Sequence, residues 1–375
     1  MLNYSNIGSF FSQLDYNKNM YRKTYLEINL DNLKNNVEFF KSKGKNIIGV
    51  IKANGYGLID HMAVFTLKEC GITHFAVSSL DEALHLRKFV NDEILILGYV
   101  SYKDLDLVRD KNLSILTVSK DYVDNANLKH IKVHIKLNTG MNRIGIEPDQ
   151  AKEVLNTLLE KNALVEGIMS HFSCSDCDLD FTNKQYQIFK DCINELNYDF
   201  KYIHISNTDG AIVLDDDICN YQRIGIGLLG YCSYDVDLSP VVSLYSEVTM
   251  VKQLKAGDKV SYGGNYVSDG NGYILTIPIG YSDGFSRYNT GKKVYVENEE
   301  GTIIGNICMD QMMVLTKNYH PVNSKVEIYG EHIDIRQRAK DLNTIVYELL
   351  TIVSDRITRV YISNNQVIKE IIPRL

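Results

Sequence analysis

The chain has 375 residues, 45% of them hydrophobic, which is enough to bury the cores of one large and one smaller domain. Its 47 acidic residues outnumber the 40 basic ones, and the net charge of -7 argues against nucleic-acid binding, which needs a basic face. We find neither a secretory leader nor a run of ~18 apolar residues, and so expect a cytoplasmic protein without a membrane segment. A piece of a longer membrane protein would look the same.

The seven cysteines are an odd number scattered along the chain, which is typical of reduced thiols and not of a disulfide framework. Cys174 and Cys177 form one C-x-x-C pair, with His171 nearby. A zinc site needs further ligands at suitable spacing, and none follows. We therefore expect no metal site.

Short apolar runs alternate with helical segments from about residue 46 to residue 231. They are nearly continuous in Ile, Val and Leu, as strands covered on both faces are. Eight such strands predict a (β/α)8 barrel, with the clearest helix at 181–198. A further run at 24–30 exceeds the barrel count and would precede the barrel or join a second domain. The eight runs are 46–52, 74–79, 93–99, 113–119, 131–138, 163–172, 201–207 and 221–231.

After residue 240 the pattern changes to short strands broken by Gly, Asp and Asn turns, with one helix near 339–353. We therefore predict a TIM-like α/β barrel domain over residues 1–240, whose first 30 residues may instead belong with the second domain, and a β-rich C-terminal domain over 241–375.

Reactive groups of such barrels lie where strands end. Lys52 ends the first barrel strand, in VIKANGYG, where apolar neighbours would lower its pKa and leave a nucleophilic amine. A Schiff-base lysine needs this property. Taken alone, however, a lysine that merely marks a strand end is the commoner case.

Other polar residues follow the remaining predicted strands. Phosphate in these barrels is often held by the loops after strands seven and eight, so Thr208 and the backbone of Gly225 and Ile226 are expected phosphate donors. The other candidates are Tyr56, Lys136, Arg143, His171, Asn207 and Arg223.

Eight motifs resemble those of the alanine racemases, pyridoxal-phosphate (PLP) enzymes of fold type III, and follow the family's order over most of residues 24–361. They are VIKANGYG, KLNTGMNRIGI, SHFS, SNTDG, QRIGIGLLGY, VSYGGNY, IPIGYSDGFSR and ICMDQMMV. The resemblance implies that Lys52 carries PLP and is the base on one face of a small amino acid. Tyr262 would be the base on the other face, because racemisation moves a proton between opposite faces of Cα. It also implies a homodimer in which the partner subunit supplies Tyr262.

The resemblance assigns further roles. Tyr56, Asn207, Thr208, Gly225 and Ile226 would hold the phosphate end of PLP. Arg223, supported by His171, would donate to the pyridine nitrogen, and Arg143 would bind the phenolic oxygen and the substrate carboxylate. Lys136 matches a lysine that is often carbamylated. The substrate side would include Tyr281, Met309, Asp310 and Asp355.

Four differences from the family pattern stand out, the first of which spans two positions. Leu58 and Ile59 follow Gly57 where histidine and glycine are usual, Asn138 replaces an aspartate, and Asn142 replaces a glycine. Asp355 stands where a tyrosine is common, so the pocket would be larger and would gain an acceptor.

The expected activity is interconversion of L- and D-alanine for peptidoglycan. Asp355 leaves serine, or a broader range of amino acids, as an alternative substrate. Non-catalytic PLP carriers resemble the barrel alone, and decarboxylases of this fold type pair the pyridine nitrogen with a carboxylate. Tyr262 and Arg223 therefore favour the racemase over both.

Overall fold

The computed structural model describes residues 21–58 and 60–372, which divide into two compact units. One unit is Asn32–Val241, and the other combines the described residues up to Asp31 with those from Val242 onward. The first strand, β1 (Tyr25–Asn29), belongs to the second of these units. The run at 24–30 therefore lies outside the barrel.

Asn32–Val241 contains eight parallel strands, which pair in the order β8-β7-β6-β5-β4-β3-β2-β9. Backbone hydrogen bonds from Asn220 N to Ile203 O (3.1 Å) and from Arg223 N to Ser206 O (3.0 Å) link the two end strands and nearly close the barrel. The prediction of a TIM-like barrel is confirmed. The strands are β2 (Asn46–Val50), β3 (His74–Val77), β4 (Glu93–Ile96), β5 (Ser114–Thr117), β6 (Lys132–Lys136), β7 (Leu164–Met169), β8 (Tyr202–His204) and β9 (Tyr221–Ile224).

Helices alternate with these strands. The longest begins where Asp178 accepts a hydrogen bond from Phe181 N (2.9 Å) and ends at Asn197, which has a φ of 43°. Its bounds differ by two residues from the predicted 181–198. The helices are α1 (Leu30–Lys41), α2 (Asp60–Glu69), α3 (Leu80–Leu86), α4 (Leu105–Asp110), α5 (Lys120–Asn125), α6 (Ala151–Glu160), α7 (Leu179–Leu196) and α8 (Thr208–Val213).

The other unit is rich in β-strands, as predicted. Its large sheet has the order β11-β14-β17-β16-β15-β18-β10-β1-β19-β20, and β12 and β13 form a separate hairpin. Strand β1 lies between β10 and β19, so the N-terminal strand completes this sheet. The strands are β10 (Val242–Glu247), β11 (Met250–Gln253), β12 (Ala256–Val260), β13 (Tyr266–Asp269), β14 (Tyr273–Ile277), β15 (Lys293–Val296), β16 (Glu299–Ile304), β17 (Met312–Thr316), β18 (Lys325–Tyr329), β19 (Thr358–Ser363) and β20 (Gln366–Ile371).

The single helix predicted at 339–353 is wrong, because two short helices, α9 (Ile335–Asp341) and α10 (Val346–Thr351), occupy this region. Asn343 has a φ of 54°, and Thr344 N donates back to Ala339 O at 2.9 Å. A left-handed residue followed by such a bond ends a helix. Across the two described ranges, we find no helix long and apolar enough to cross a bilayer.

Candidate active site

Lys52 lies two residues after the end of β2 and begins a short turn in which residues 53–56 are left-handed. Residues 53–56 have φ values between 53° and 61°, a conformation that costs a non-glycine residue about 1–2 kcal/mol. Ala53 N donates to Glu82 Oε1 (2.8 Å), and Gly57 N donates to Ala53 O (3.0 Å), which hold the turn in place. Strain retained in this way marks a candidate functional segment.

The Lys52 amine is partly buried and has no hydrogen bond or ion pair with another described residue. Burial, and secondarily the positive charge of Arg143, lower the pKa of Lys52. A larger fraction of its amine is therefore neutral and nucleophilic at neutral pH.

Tyr56 and Gly225 approach each other closely at the ends of β2 and β9. A Cβ atom at Gly225 would lie 2.3 Å from the Tyr56 hydroxyl oxygen, so only glycine fits there. Ile226 follows at the start of a buried 3-10 turn, Ile226–Leu229. The Tyr56 phenol and the turn after Gly225 thus lie side by side at the carboxyl ends of the barrel strands. Of the departures beside Tyr56, Leu58 is buried at 1% exposure, and Ile59 lies outside the described residues.

Asn207 and Thr208 occupy the carboxyl end of β8. Asn207 caps α8 by accepting from Gly210 N at 2.9 Å, and the Thr208 hydroxyl accepts from Gly227 N at 3.1 Å. The first two N–H groups of α8, those of Thr208 and Asp209, make no hydrogen bond to another described residue and suit an anion, as at other helix N-termini. The loops after β8 and β9 are therefore joined through Thr208.

Arg223 is buried among five acceptors. One terminal nitrogen donates to Nδ1 (2.8 Å) and O (3.1 Å) of His204. The other contacts Ser170 O (2.8 Å), His171 Nδ1 (2.9 Å) and Ile205 O (2.8 Å). Within the described residues, Nε makes no hydrogen bond, and no carboxylate pairs with the guanidinium. Burial lowers the pKa of Arg223 to about 9, so it stays protonated at neutral pH.

Lys136 is buried at the end of β6, where its amine donates to Leu137 O at 2.8 Å. Burial, with the nearby charges of Arg223 and Arg143, lowers the pKa of Lys136 to about 7. Arg143 is exposed and makes no hydrogen bond to another described residue.

The departures at Asn138 and Asn142 belong together. The Asn138 amide donates to Asn142 Oδ1 (2.9 Å) and to Glu147 Oε1 (2.7 Å), and its oxygen accepts from Asn142 N (3.0 Å). An aspartate could not make the two donations. Asn142 has a φ of 55°, which asparagine tolerates better than most residues. Each asparagine thus suits the presence of the other.

Tyr262 lies in the β-rich unit, at the start of the turn Tyr262–Gly264, and its side chain is 76% exposed. The preceding Ser261 has a φ of 66° and a ψ of -178°, a region populated almost entirely by glycine. The Ser261 hydroxyl donates to Asn306 O (2.5 Å), and the Asn306 amide donates to Tyr262 O (2.6 Å). These bonds hold the strained backbone of Ser261 in place immediately before Tyr262.

This strain predicts an unusual order of stability at position 261. Ser261→Ala removes the hydroxyl and keeps the strained backbone, whereas Ser261→Gly removes the hydroxyl and relieves the strain. We expect the glycine variant to be the more stable of the two by about 1 kcal/mol, measured by urea unfolding. An alanine variant as stable as the glycine variant would contradict the strain.

Tyr281, Met309 and Asp310 lie close together in the β-rich unit. Tyr281 is 46% exposed and Met309 is 53% exposed. Tyr281 N donates to Cys308 O (3.1 Å), and Arg356 donates to Asp310 Oδ1 at 2.8 Å. This bond is the main cause that lowers the pKa of Asp310. Asp355 is exposed and forms an ion pair with Arg359 at 3.8 Å.

Several residues of these sites were missed from the sequence. Ser261 and Asn306 fix the Tyr262 turn, Arg356 holds Asp310, and His204 contacts Arg223. Arg356 and Ser261 lie beside predicted residues, so proximity could have indicated them. His204 sits within an apolar strand and gave no such signal. In the described ranges, no cluster of three or more His, Cys, Asp or Glu could hold a metal ion.

Comparisons with known proteins agree with both units. The family described as "Alanine racemase, N-terminal domain" matches residues 28–233, and "Alanine racemase, C-terminal domain" matches 241–361. The alanine racemase of Staphylococcus epidermidis is 37% identical over 368 residues, which cover 92% of this chain and 96% of that protein.

Solved structures are also similar. Bacillus anthracis alanine racemase with bound L-Ala-P has a TM-score of 0.88 at 31% identity, covering 94% of this chain and 98% of that one. A histidine racemase from Leuconostoc mesenteroides has a TM-score of 0.84 at 26% identity, covering 92% and 100%. The chain therefore belongs to the alanine racemase family.

Proposed function

We propose that this protein is a PLP-dependent racemase that interconverts L- and D-alanine and supplies D-alanine for peptidoglycan. The observation that carries the proposal is the set of groups at the carboxyl ends of the barrel strands. A lysine of lowered pKa and a buried guanidinium with one free N–H lie in the same barrel as the Thr208 hydroxyl and the first two N–H groups of α8.

The chemistry of these groups fits PLP at three points. The Lys52 amine is suited to attach the aldehyde, and the free Nε–H of Arg223 is suited to the pyridine nitrogen. The first N–H groups of α8, the Thr208 and Tyr56 hydroxyls and the backbone at Gly225 and Ile226 are suited to the phosphate. When bound, PLP would draw electrons from the substrate Cα and make its proton removable.

Two bases would then move that proton. Lys52 Nζ would take it from, or return it to, one face of Cα, and the Tyr262 hydroxyl would act on the other face. The Tyr262 phenol makes no hydrogen bond to another described residue and is well exposed, which suits a group that serves a second subunit. We therefore propose a homodimer in which each subunit supplies its Tyr262 to the active site of the other.

Arg223 supports racemisation over decarboxylation. With a pKa of about 9 and no carboxylate partner among the described residues, it offers a hydrogen bond but keeps its proton at neutral pH. The electron demand on the substrate then stays modest, which favours proton return over loss of carbon dioxide. Release of carbon dioxide at a rate comparable to inversion would favour the decarboxylase instead.

The direct test is chiral chromatography of L-alanine incubated with the purified protein and PLP. We expect an equal mixture of L- and D-alanine, no net loss of amino acid, and loss of activity when PLP is removed and not restored. Unchanged L-alanine in the presence of PLP would overturn the proposal.

A second substrate is favoured by Asp355, whose exposed carboxylate stands where a tyrosine is common. The histidine racemase named above also indicates that this scaffold accommodates larger side chains. We therefore expect L-serine to be racemised as well as L-alanine.

Steady-state kinetics with both substrates test this idea. In Asp355→Tyr we expect kcat/KM to fall about tenfold for serine and little for alanine, because the larger ring fills space and removes an acceptor. Asp355→Asn keeps the size and should lose less. Turnover of alanine alone, unchanged for both substrates in Asp355→Tyr, would refute it.

Lys136 is proposed to be carbamylated, which would turn a cation into an anion able to pair with Arg143. Carbon dioxide reacts only with the neutral amine, and a pKa of about 7 provides it at neutral and higher pH. We expect a carbamate signal in the carbon-13 NMR spectrum after incubation with labelled bicarbonate. The signal should decline below pH 7 and be absent from Lys136→Met. A signal that persists in that variant would show that another lysine is modified.

A further inference from the structure

Two hydrogen bonds in series connect Arg223 to two buried histidines of the barrel, first His204 and then His134. Arg223 donates to His204 Nδ1 at 2.8 Å, and His204 Nε2 lies 2.9 Å from His134 Nδ1. On its other side Arg223 contacts His171 Nδ1 at 2.9 Å. His204 has 0% and His134 3% exposure, so bulk water does not compete for these contacts.

Elementary donor chemistry fixes where each proton lies. A guanidinium has no lone pair to offer, so Nδ1 of His204 and of His171 must be bare acceptors. Burial lowers the pKa of His204 and His171 well below the usual value and that of His134 to about 3, so all three rings are neutral at neutral pH. Neutral His204 therefore carries its proton on Nε2 and donates to Nδ1 of His134. His134 then carries its own proton on Nε2.

We propose that His134 is a positioning residue of the racemase, acting through His204 on Arg223, and that all three histidines are locked in the Nε2–H form. This inference rests on the proposed role of Arg223 at the pyridine nitrogen. The acceptor at His134 prevents His204 from reversing its ring, and His204 keeps a lone pair toward the guanidinium.

The two histidines and the backbone carbonyl groups supply the hydrogen-bond acceptors that a carboxylate would otherwise supply to Arg223. Within the described residues Arg223 has no acidic partner, and its acceptors are the two imidazole lone pairs and three backbone carbonyl groups. Neutral acceptors orient the buried cation without adding negative charge beside the cofactor. Its Nε–H is left as the donor available to the pyridine ring.

The outer end of the chain has room for a polar partner. His134 stacks on Tyr202 with ring centroids 5.2 Å apart, and it lines a cavity of about 10 Å³ together with Ser114 and Glu93. That is space for about one water molecule. A water molecule there could accept from the Nε2–H of His134, so the donor directions of the histidine hydrogen bonds need not reverse.

Nitrogen-15 NMR of the full-length protein, labelled at histidine and saturated with PLP, tests the proton positions. We expect His134, His171 and His204 each to have a bare Nδ1 and a protonated Nε2 at neutral pH, with spectra assigned by single histidine substitutions. A protonated Nδ1 on His204 would overturn the proposal.

Variants test the positioning role. His134→Leu should remove the hydrogen-bonded Nε2–H signal of His204. It should also lower kcat by about 10–100-fold, the size of effect seen when a residue that orients a metal ligand is replaced. His134→Gln keeps an acceptor and should restore most of both. His74 bonds to the Tyr202 hydroxyl (3.2 Å) but makes no hydrogen bond to His134, His204 or Arg223. His74→Gln should therefore change neither the His204 signal nor kcat.

The outcomes separate this inference from the proposed function. An unchanged His204 signal and unchanged kcat in His134→Leu would overturn the positioning role. The predicted proton positions in a protein that does not racemise any amino acid would overturn the proposed function and leave the proton positions standing.

Discussion

Replacement of Lys52 by alanine is expected to lower kcat for alanine racemisation by at least about 10⁴-fold and to abolish the yellow colour of lysine-bound PLP. The reason is that one amine, whose pKa burial lowers, is proposed both to attach the cofactor and to act as a base. The measurements are chiral chromatography and the visible absorbance spectrum.

Lys103→Ala is a suitable control, because Lys103 is an exposed lysine of the same unit with no described side-chain partner. It should keep both the colour and the activity. A Lys52→Ala protein that remains yellow and active would place the cofactor on another lysine.

Tyr262→Phe should lower kcat about 10²–10⁴-fold in both directions while the protein still binds PLP and keeps its colour. The hydroxyl is the only group removed, and the exposed ring makes no described hydrogen bond whose loss would unfold the turn. Exchange of the α-proton with solvent should survive for the one enantiomer served by Lys52. Tyr288→Phe, at a side chain that is 83% exposed, is the matched control.

Mixing the two inactive variants tests whether subunits share active sites. A mixed dimer of Lys52→Ala and Tyr262→Phe has one site with both defects and one site with neither, if Tyr262 serves the partner. Random reassembly should then restore about a quarter of wild-type activity. If each site is built within one subunit, mixing should restore nothing, and the proposed exchange would be wrong.

The barrel could be predicted from the sequence because its signals are local. Each strand is a short apolar run, and the rule that reactive groups lie at strand ends made Lys52, His171, Thr208 and Arg223 candidates. Their roles came from the resemblance to the family. The place of residues 24–30 was not local, because β1 pairs with β10 and β19, more than 200 residues away.

What the sequence could not provide depends on backbone conformation or on long-range contact. Ser261 is an ordinary serine until its φ of 66° is known, and Asn343 ends a helix through its φ of 54°. His134 and His204 lie in apolar strands, 70 residues apart, and only the folded barrel brings His134 Nδ1 within 2.9 Å of His204 Nε2. Residue type alone also hid the mutual bonds of Asn138 and Asn142.

The central claim is that Lys52 and Tyr262 act on opposite faces of Cα, and isotope wash-in tests it most directly. L-Alanine is incubated with the enzyme and PLP in deuterium oxide. At low conversion the two enantiomers are separated, and the deuterium content of each is measured by mass spectrometry. Two bases predict that nearly all D-alanine formed carries deuterium at Cα, while the remaining L-alanine carries little. D-Alanine that retains the original hydrogen would indicate a single base, and no D-alanine would contradict the racemase itself.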